Sequence, residues 1–501
     1  MRSCAGRASS RLFGESGLRV GHEIFLSRPV DVECAGCPAC CVRSGGGGGG
    51  GGGALPTLPA LLQERTRALV AVEFFTETEL DRRPTIANGV VVDAAAGTIV
   101  LPSQVINMRT SPSQLKDFRV YLPGRSTNDY AKGEYLGQDP LSGWHFVRVE
   151  EKLRAQLTPV TAFVAKAAAG AEPAAGEEFW GIGLRGKDED FLPYFLAGRV
   201  SLIQSLPDRT AIALSEVTAP GLPVFDREGH FAGLGIGGFG ATYLQFSRTE
   251  RGSPVMLMNV EETAVFQLAA DVLPKLGRVP ASVDGRPIPT LGVYGLQPMD
   301  PEVAAFLKLD NQSGCVVSEV LDGGPAEAAG MKDRDIIVAL DGKPLPRFKP
   351  DSVVVSYIDR EVARRTPGEK VPVTVLRGTE RVELIVTLGE EPKLQREAER
   401  KYFERLGLTV REFVFGDGVV RRIKRAEQRG VIAYFVKNNG LTATAGLRPD
   451  DWIQEVDGVV IKTYAEAVEK LAAIEADTSR GEFVLLTSRG GETAVLRVKL
   501  K

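Results

Sequence analysis

The sequence predicts a mostly β protein whose first half folds as antiparallel barrels or a sandwich and whose second half repeats a smaller α+β unit twice. Three observations support this. From Leu69 onward the chain is cut into short apolar runs separated by turn residues, a spacing that suits antiparallel strands and not strands alternating with helices. A stretch rich in Pro and Gly, RVPASVDGRPIP, then interrupts the pattern. Beyond it, one order of strands, turns and helix occurs twice. A length of 501 residues exceeds what one core serves and fits about three domains.

Residues 1–57 read as a low-complexity, disordered extension. Cys4, Cys34, Cys37, Cys40 and Cys41 fall in it and only Cys315 falls in the folded body, so no disulfide framework is expected. The spacing Cys34-Ala-Gly-Cys37-Pro-Ala-Cys40-Cys41 suits thiolate ligands of zinc. No second half-site follows, only the glycine run Gly45 to Gly53, and we expect no metal and no cofactor. With 61 basic against 64 acidic side chains, the net charge of -3 supplies no field to gather nucleic acid or an anionic membrane surface. No apolar run is long enough to span a bilayer, and the opening residues keep breaking with charge, so no signal segment is recognisable.

Residues 58–276 form the first predicted domain. Its strand candidates run from LVAVEFF, NGVVVD, GTIVLP, DFRVYLP and HFVRVE to EFWGIGLR, AGRVSLIQ, TAIALSE, LPVFD, FAGLGIGG, ATYLQF and VMLMN. The segment EETAVFQLAADVLPKLG reads as one amphipathic helix closing the domain. Residues 277–289 are a linker, 290–390 the first repeat, 391–404 a charged and helical spacer, and 405–501 the second repeat.

Each repeat carries a Leu-Gly-apolar loop, LGV at 291–293 and LGL at 406–408. Each then carries a long matching run, GPAEAAGMKDRDIIVALDG or GLTATAGLRPDDWIQEVDG. In these runs a small-residue helix, a glycine cap, an Asp before a strand and an Asp-Gly turn follow in one order. Both repeats resemble PDZ domains, partly open β-barrels, over nearly their whole length. That resemblance implies that the glycine lets the loop aim its N–H groups at a chain-terminal carboxylate while the next strand pairs with the ligand. It assigns peptide binding to Leu291, Gly292 and Val293 in the first repeat and to Leu406, Gly407 and Leu408 in the second. The plainer alternative is that these are loop and core residues and the groove is filled by the protein itself.

A β-rich domain followed by two such repeats resembles the HtrA/Deg family of serine proteases, and the likeness runs from about residue 58 to the end. It implies a trypsin-like double β-barrel. In ANGVVVDAAAGTIVLPSQVI, strand for strand, Gln104 stands where the family has its histidine. In GQDPLSGWHFVRVE, Gly143 falls at the aspartate position and Asp139 lies four residues off register. Counting back from GHFAGL, Pro220 falls at the nucleophile, with neither hydroxyl nor backbone N–H to offer an oxyanion. Three histidines, His22, His145 and His230, are present, and Ser215 reads as a strand residue. The sequence is therefore expected to be no enzyme: an HtrA-like pseudoprotease binding protein C-termini or unfolded segments as a chaperone, adaptor or regulator in protein quality control. The alternative is an active serine endopeptidase or other hydrolase with a displaced active site. The resemblance also implies a homotrimer and a periplasmic or otherwise extracytoplasmic home.

Overall fold

The computed structural model describes residues 57–165, 173–205, 208–215, 217–236, 264–309 and 311–501, with the backbone of two strands at 243–246 and 254–258. The cysteine run, the glycine run and His22 lie outside the described residues. After a short helix, Leu58–Arg65, six strands follow: β1 (Leu69–Glu77), β2 (Arg82–Asp93), β3 (Thr98–Leu101), β4 (Leu115–Tyr121), β5 (Tyr130–Gln138) and β6 (His145–Val149). They close into a barrel in the order β1-β2-β3-β6-β5-β4. Val70, Val72, Phe74, Val91, Ile99, Phe118, Val120 and Val147 fill it, alternate residues of their strands pointing inward.

The second barrel is built from β7 (Glu178–Leu184), β8 (Pro193–Gln204), β9 (Thr210–Ala213), β10 (Pro223–Phe225) and β11 (Phe231–Ile236). A two-stranded hairpin of β12 (Tyr243–Phe246) and β13 (Pro254–Met258) intervenes before the sixth strand, β14 (Ala264–Leu268). The closed order is β10-β11-β14-β9-β8-β7. The fold is a mostly β, trypsin-like double barrel. Trp144, Phe146, Trp180, Leu222, Phe225 and Val272 belong to one buried cluster that packs the barrels together. Glu73 on β1 adds a polar tie, accepting from Tyr121 Oη at 2.7 Å and from Lys187 Nζ at 2.7 Å, where Lys187 belongs to the other barrel.

Three expectations change here. The segment read as a single helix is the strand β14 followed by a helix at Ala269–Leu276. All five strand residues are buried between β9 and β11, and an apolar run buried on both faces carries no period to tell strand from helix. Strand β5, with Gly133 and Gly137 and a mostly polar outer face, was not legible as a strand. The spacer at 391–404 is not helical: a turn spans 395–397 and a strand runs Arg400–Phe403, where pairing overrides the helical propensity of the charged residues.

The first repeat holds the sheet formed by Gln297–Pro298, Cys315–Val316, Ile336–Leu340, Lys370–Arg377 and Glu380–Thr387, with the helix Val353–Ala363 covering it. Val354, Ile358 and Val362 lie on the buried face of that helix, at spacings of four. The second repeat has strands Leu408–Glu412, Val431–Val436, Trp452–Val456, Glu482–Arg489 and Glu492–Lys499 with the helix Tyr464–Ala476. No helix among the described residues is long and apolar enough to cross a membrane.

Candidate functional site

Three turns meet where the barrels face each other. The chain leaves β3 at Pro102 and makes one tight helical turn, Ser103–Val105, which carries Gln104 on an exposed rim. The turn from Asp139 to Gly143 is closed by Gly143 N–H donating to Asp139 O at 2.8 Å. Pro220 begins the third turn, in which Gly221 N–H donates to Gly235 O at 2.9 Å. A Cβ on Gly221 would lie 2.8 Å from the Pro102 ring, and one on Gly143 would lie 3.1 Å from Ser103 Cβ. Gln104, Gly143 and Pro220, distant in sequence, are therefore gathered around the Pro102–Gln104 loop.

The titratable groups nearby are each engaged. His145, 2% exposed, has Nδ1 2.9 Å from Tyr135 Oη and Nε2 3.3 Å from Ser103 O. Desolvation drives its pKa down to about 4, so the imidazole is neutral near neutral pH. A neutral ring that donates from Nε2 to the carbonyl and accepts the tyrosine proton at Nδ1 satisfies both contacts. Asp139, wholly buried, accepts from Ser142 Oγ at 2.8 Å and Arg278 Nε at 2.8 Å. Ser215 lies just beyond β9, exposed in a bend and not in a strand. His230 pairs with Asp226 in the β10–β11 hairpin, Nδ1 to Oδ2 at 3.1 Å. Among the described residues no serine hydroxyl is hydrogen-bonded to a histidine.

In the first repeat, Gly292 has φ +77 and its N–H donates to Thr290 Oγ1 at 3.1 Å, bending the loop at Leu291–Val293. Val293–Tyr294 pairs with Glu319–Val320, and Gln297–Pro298 pairs with Cys315–Val316. Val293–Tyr294 and Gln297–Pro298 are each paired on one side only among the described residues, while Cys315–Val316 also pairs with Ile336–Leu340. Between that open edge and the helix Val353–Ala363 lies a cavity of about 1210 Å³, whose walls include Leu291 and Val293 and, from the first barrel, Gln104 and Gly143. The groove and the two turns that carry Gln104 and Gly143 thus open into one space. Replacing Gly292 with alanine puts a Cβ 2.5 Å from Pro325 Cδ at a left-handed backbone position. We expect that variant to lose about 1–3 kcal/mol of stability in chemical denaturation.

The second repeat differs. Gly407, at φ +64, turns the chain between Arg400–Phe403 and Leu408–Glu412, and these two strands pair residue by residue from Phe403↔Leu408 to Arg400↔Arg411. Leu408–Glu412 also pairs with Val431–Val436. Leu406 and Leu408 are buried in the core with Phe403 and with Leu471 and Ile474 of the helix Tyr464–Ala476. The edge that the sequence assigned to a ligand through Leu406, Gly407 and Leu408 is covered by the protein's own strand. This arrangement matches the plainer alternative named for these residues; the residues before Leu406 read as spacer, and the inward Phe403 was the available signal of a strand.

Two closed barrels with a cleft of turns between them, followed by a grooved repeat, define the class of trypsin-like proteins bearing a PDZ domain. A PDZ-domain family model matches residues 297–388. Curated relatives include the probable periplasmic serine endoprotease DegP-like of Chlamydia pneumoniae, 28% identical over 210 residues, covering 42% of this chain and 40% of the relative. The periplasmic pH-dependent serine endoprotease DegQ of Escherichia coli strain K12 is 32% identical over 183 residues, covering 36% of each. The chain thus spans about two-fifths of the length of these relatives. A solved structure, the HtrA-type protease AlgW with tripeptide, aligns over 68% of this chain and 99% of its own at 18% identity and a TM-score of 0.46.

The chain is a homologue of the HtrA/DegP serine proteases and carries a PDZ domain. This overturns the expectation that it is no enzyme: the curated relatives it matches are named serine endoproteases.

Proposed function

We propose that this protein acts on other polypeptides as a serine-type endopeptidase of the HtrA kind, capturing C-termini or extended segments in the groove of its first repeat. The observation that carries this reading is the open edge at Val293–Tyr294, whose Val293 shares one cavity with the cleft turns that carry Gln104 and Gly143. A strand added there gains main-chain hydrogen bonds, and the apolar wall takes alternate side chains. The relatives' names supply the activity, and their periplasmic setting supplies an extracytoplasmic place of action. Assembly as a homotrimer belongs to the same reading.

Pro220 offers no hydroxyl, so in this reading the nucleophile is displaced from it. Holding without cutting, as a chaperone or adaptor does, is a second reading, which the engaged state of His145 favours. One experiment separates them. The full chain is incubated with β-casein and, in parallel, with a fluorophosphonate probe, and labelled peptides are mapped by mass spectrometry. Cleavage together with one labelled serine supports the endopeptidase and identifies its nucleophile. Suppressed aggregation of unfolded casein with neither cleavage nor label sinks it in favour of holding.

A further inference from the structure

The segment between the strands Leu408–Glu412 and Val431–Val436 of the second repeat departs from the charge balance of the whole chain. From 421 to 429 it reads RRIKRAEQR, five cations against the single carboxylate of Glu427, in a protein whose net charge is -3. Arg421 is engaged in the fold, its Nη1 3.7 Å from Asp417 and its Nη2 donating to Asp450 O at 2.7 Å. The other four are not. Arg422, Lys424, Arg425 and Arg429 are exposed, and among the described residues none of them forms an ion pair with a carboxylate. Arg425 reaches only backbone, Nη1 donating to Asp322 O at 3.4 Å. Val420, which leads into them, is 75% exposed.

This surface is held in shape from beneath. The helix Phe415–Arg421 starts on the buried Asp417 and ends where Arg422 takes a left-handed conformation, φ +56, ahead of the short helical turn Arg425–Glu427. Arg429 O accepts the Trp452 indole N–H at 2.6 Å, and Gly418 packs against the Gln428 amide with no room for a Cβ. Cations fixed close together without counter-ions repel one another, and an opposing negative surface relieves that repulsion. The net charge of the chain does not prevent the approach, because charges farther off than about 8 Å are screened at physiological ionic strength.

The kind of negative surface follows from what accompanies the charge. Single-stranded nucleic acid stacks its bases on exposed aromatic faces, whereas the exposed apolar group here is aliphatic, and Phe413 is packed on Trp452 at 5.4 Å between ring centres. A lipid surface uses both features: headgroup phosphates receive the guanidinium and ammonium groups, and the boundary with the acyl chains receives an apolar side chain set beside them.

We propose that the second repeat docks on anionic lipid surfaces through Arg422, Lys424, Arg425 and Arg429, with Val420 entering the headgroup boundary. The repeat whose strand edge is paired within the chain thus keeps an interaction surface of another kind.

The test is sedimentation of the full chain with sucrose-loaded vesicles of phosphatidylcholine, either pure or with about a third of the lipid replaced by phosphatidylglycerol. The chain should bind the anionic vesicles and leave the neutral ones. Each cation at such a surface strengthens binding about fivefold, so Arg422→Gln with Lys424→Gln should weaken it about thirtyfold. Neither side chain has a partner in the fold, and an unchanged near-ultraviolet circular dichroism spectrum verifies that the double variant is folded. Val420→Ser should weaken binding severalfold, and this loss should persist in raised salt while the charge contribution fades. Equal binding to both kinds of vesicle, binding to neither, or a double variant that binds as the unaltered chain does overturns the docking surface. Binding of a single-stranded oligonucleotide that the double variant loses, with vesicles left unbound, overturns the choice of lipid.

Discussion

Replacing Asp417 with alanine lowers the stability of the second repeat by about 3–5 kcal/mol, the cost of leaving its buried partner charge alone. Asp417 holds Arg411 in a two-pronged pair, Nη1 to Oδ2 at 2.6 Å and Nη2 to Oδ1 at 2.8 Å. The side chains are only 3% and 2% exposed. The same carboxylate accepts Val414 N–H at 2.9 Å and fixes the start of the helix Phe415–Arg421. Arginine keeps its charge, so it cannot escape the apolar surroundings by losing a proton. Amide hydrogen exchange on Val431–Val436 reads the loss locally, without assuming that the whole chain unfolds as one. A double change, Arg411→Met with Asp417→Leu, should recover much of it, since an apolar pair of similar volume carries no desolvation cost. Undiminished protection in Asp417→Ala would mean that the pair holds nothing together.

Acid exposes the second large effect. His145 is depressed to about 4 in the folded protein against 6.5 for a free imidazole. Below about 6.5 the unfolded chain binds a proton that the folded chain refuses, so stability falls as pH drops from 6.5 toward 4 and levels off beneath. The sign follows from the neutral form being the one that fits between Tyr135 and Ser103. A shift of this size amounts to roughly 3 kcal/mol across the window. His145→Gln should be less stable than the unaltered chain at pH 7, and the gap should narrow steadily between pH 6.5 and 4 in urea titrations. A gap that stays constant over that range would show that His145 does not set the acid limb.

The architecture was legible because its signals are local and redundant. Runs such as LVAVEFF and HFVRVE sit between turn residues and became β1 and β6. The matching Leu-Gly loops and Asp-Gly turns announced a repeat before any contact was known. Where burial is two-sided or pairing is distant, the same reasoning stops. Ala264–Leu268 looked helical because all its side chains are enclosed. His145 could be placed in a strand, but Tyr135 and Ser103 reach it only through the closing of the barrel, and Arg278 reaches Asp139 from 139 residues away. The two loops assigned to grooves are built differently. Gly292 and Gly407 bend similar loops, yet one opens on a cavity and the other on a strand of the same chain.

That strand has a quantitative consequence for how the repeats share work. Arg400–Phe403 is joined to its partner by the short turn at 404–407, so it competes for the edge as a tethered ligand at an effective concentration of about millimolar or above. A free peptide with the same intrinsic affinity would have to exceed that concentration to displace it. Duplicating the repeat therefore has not duplicated the open edge. One copy keeps a strand paired on one side only, and the other has the matching edge paired with a strand of its own.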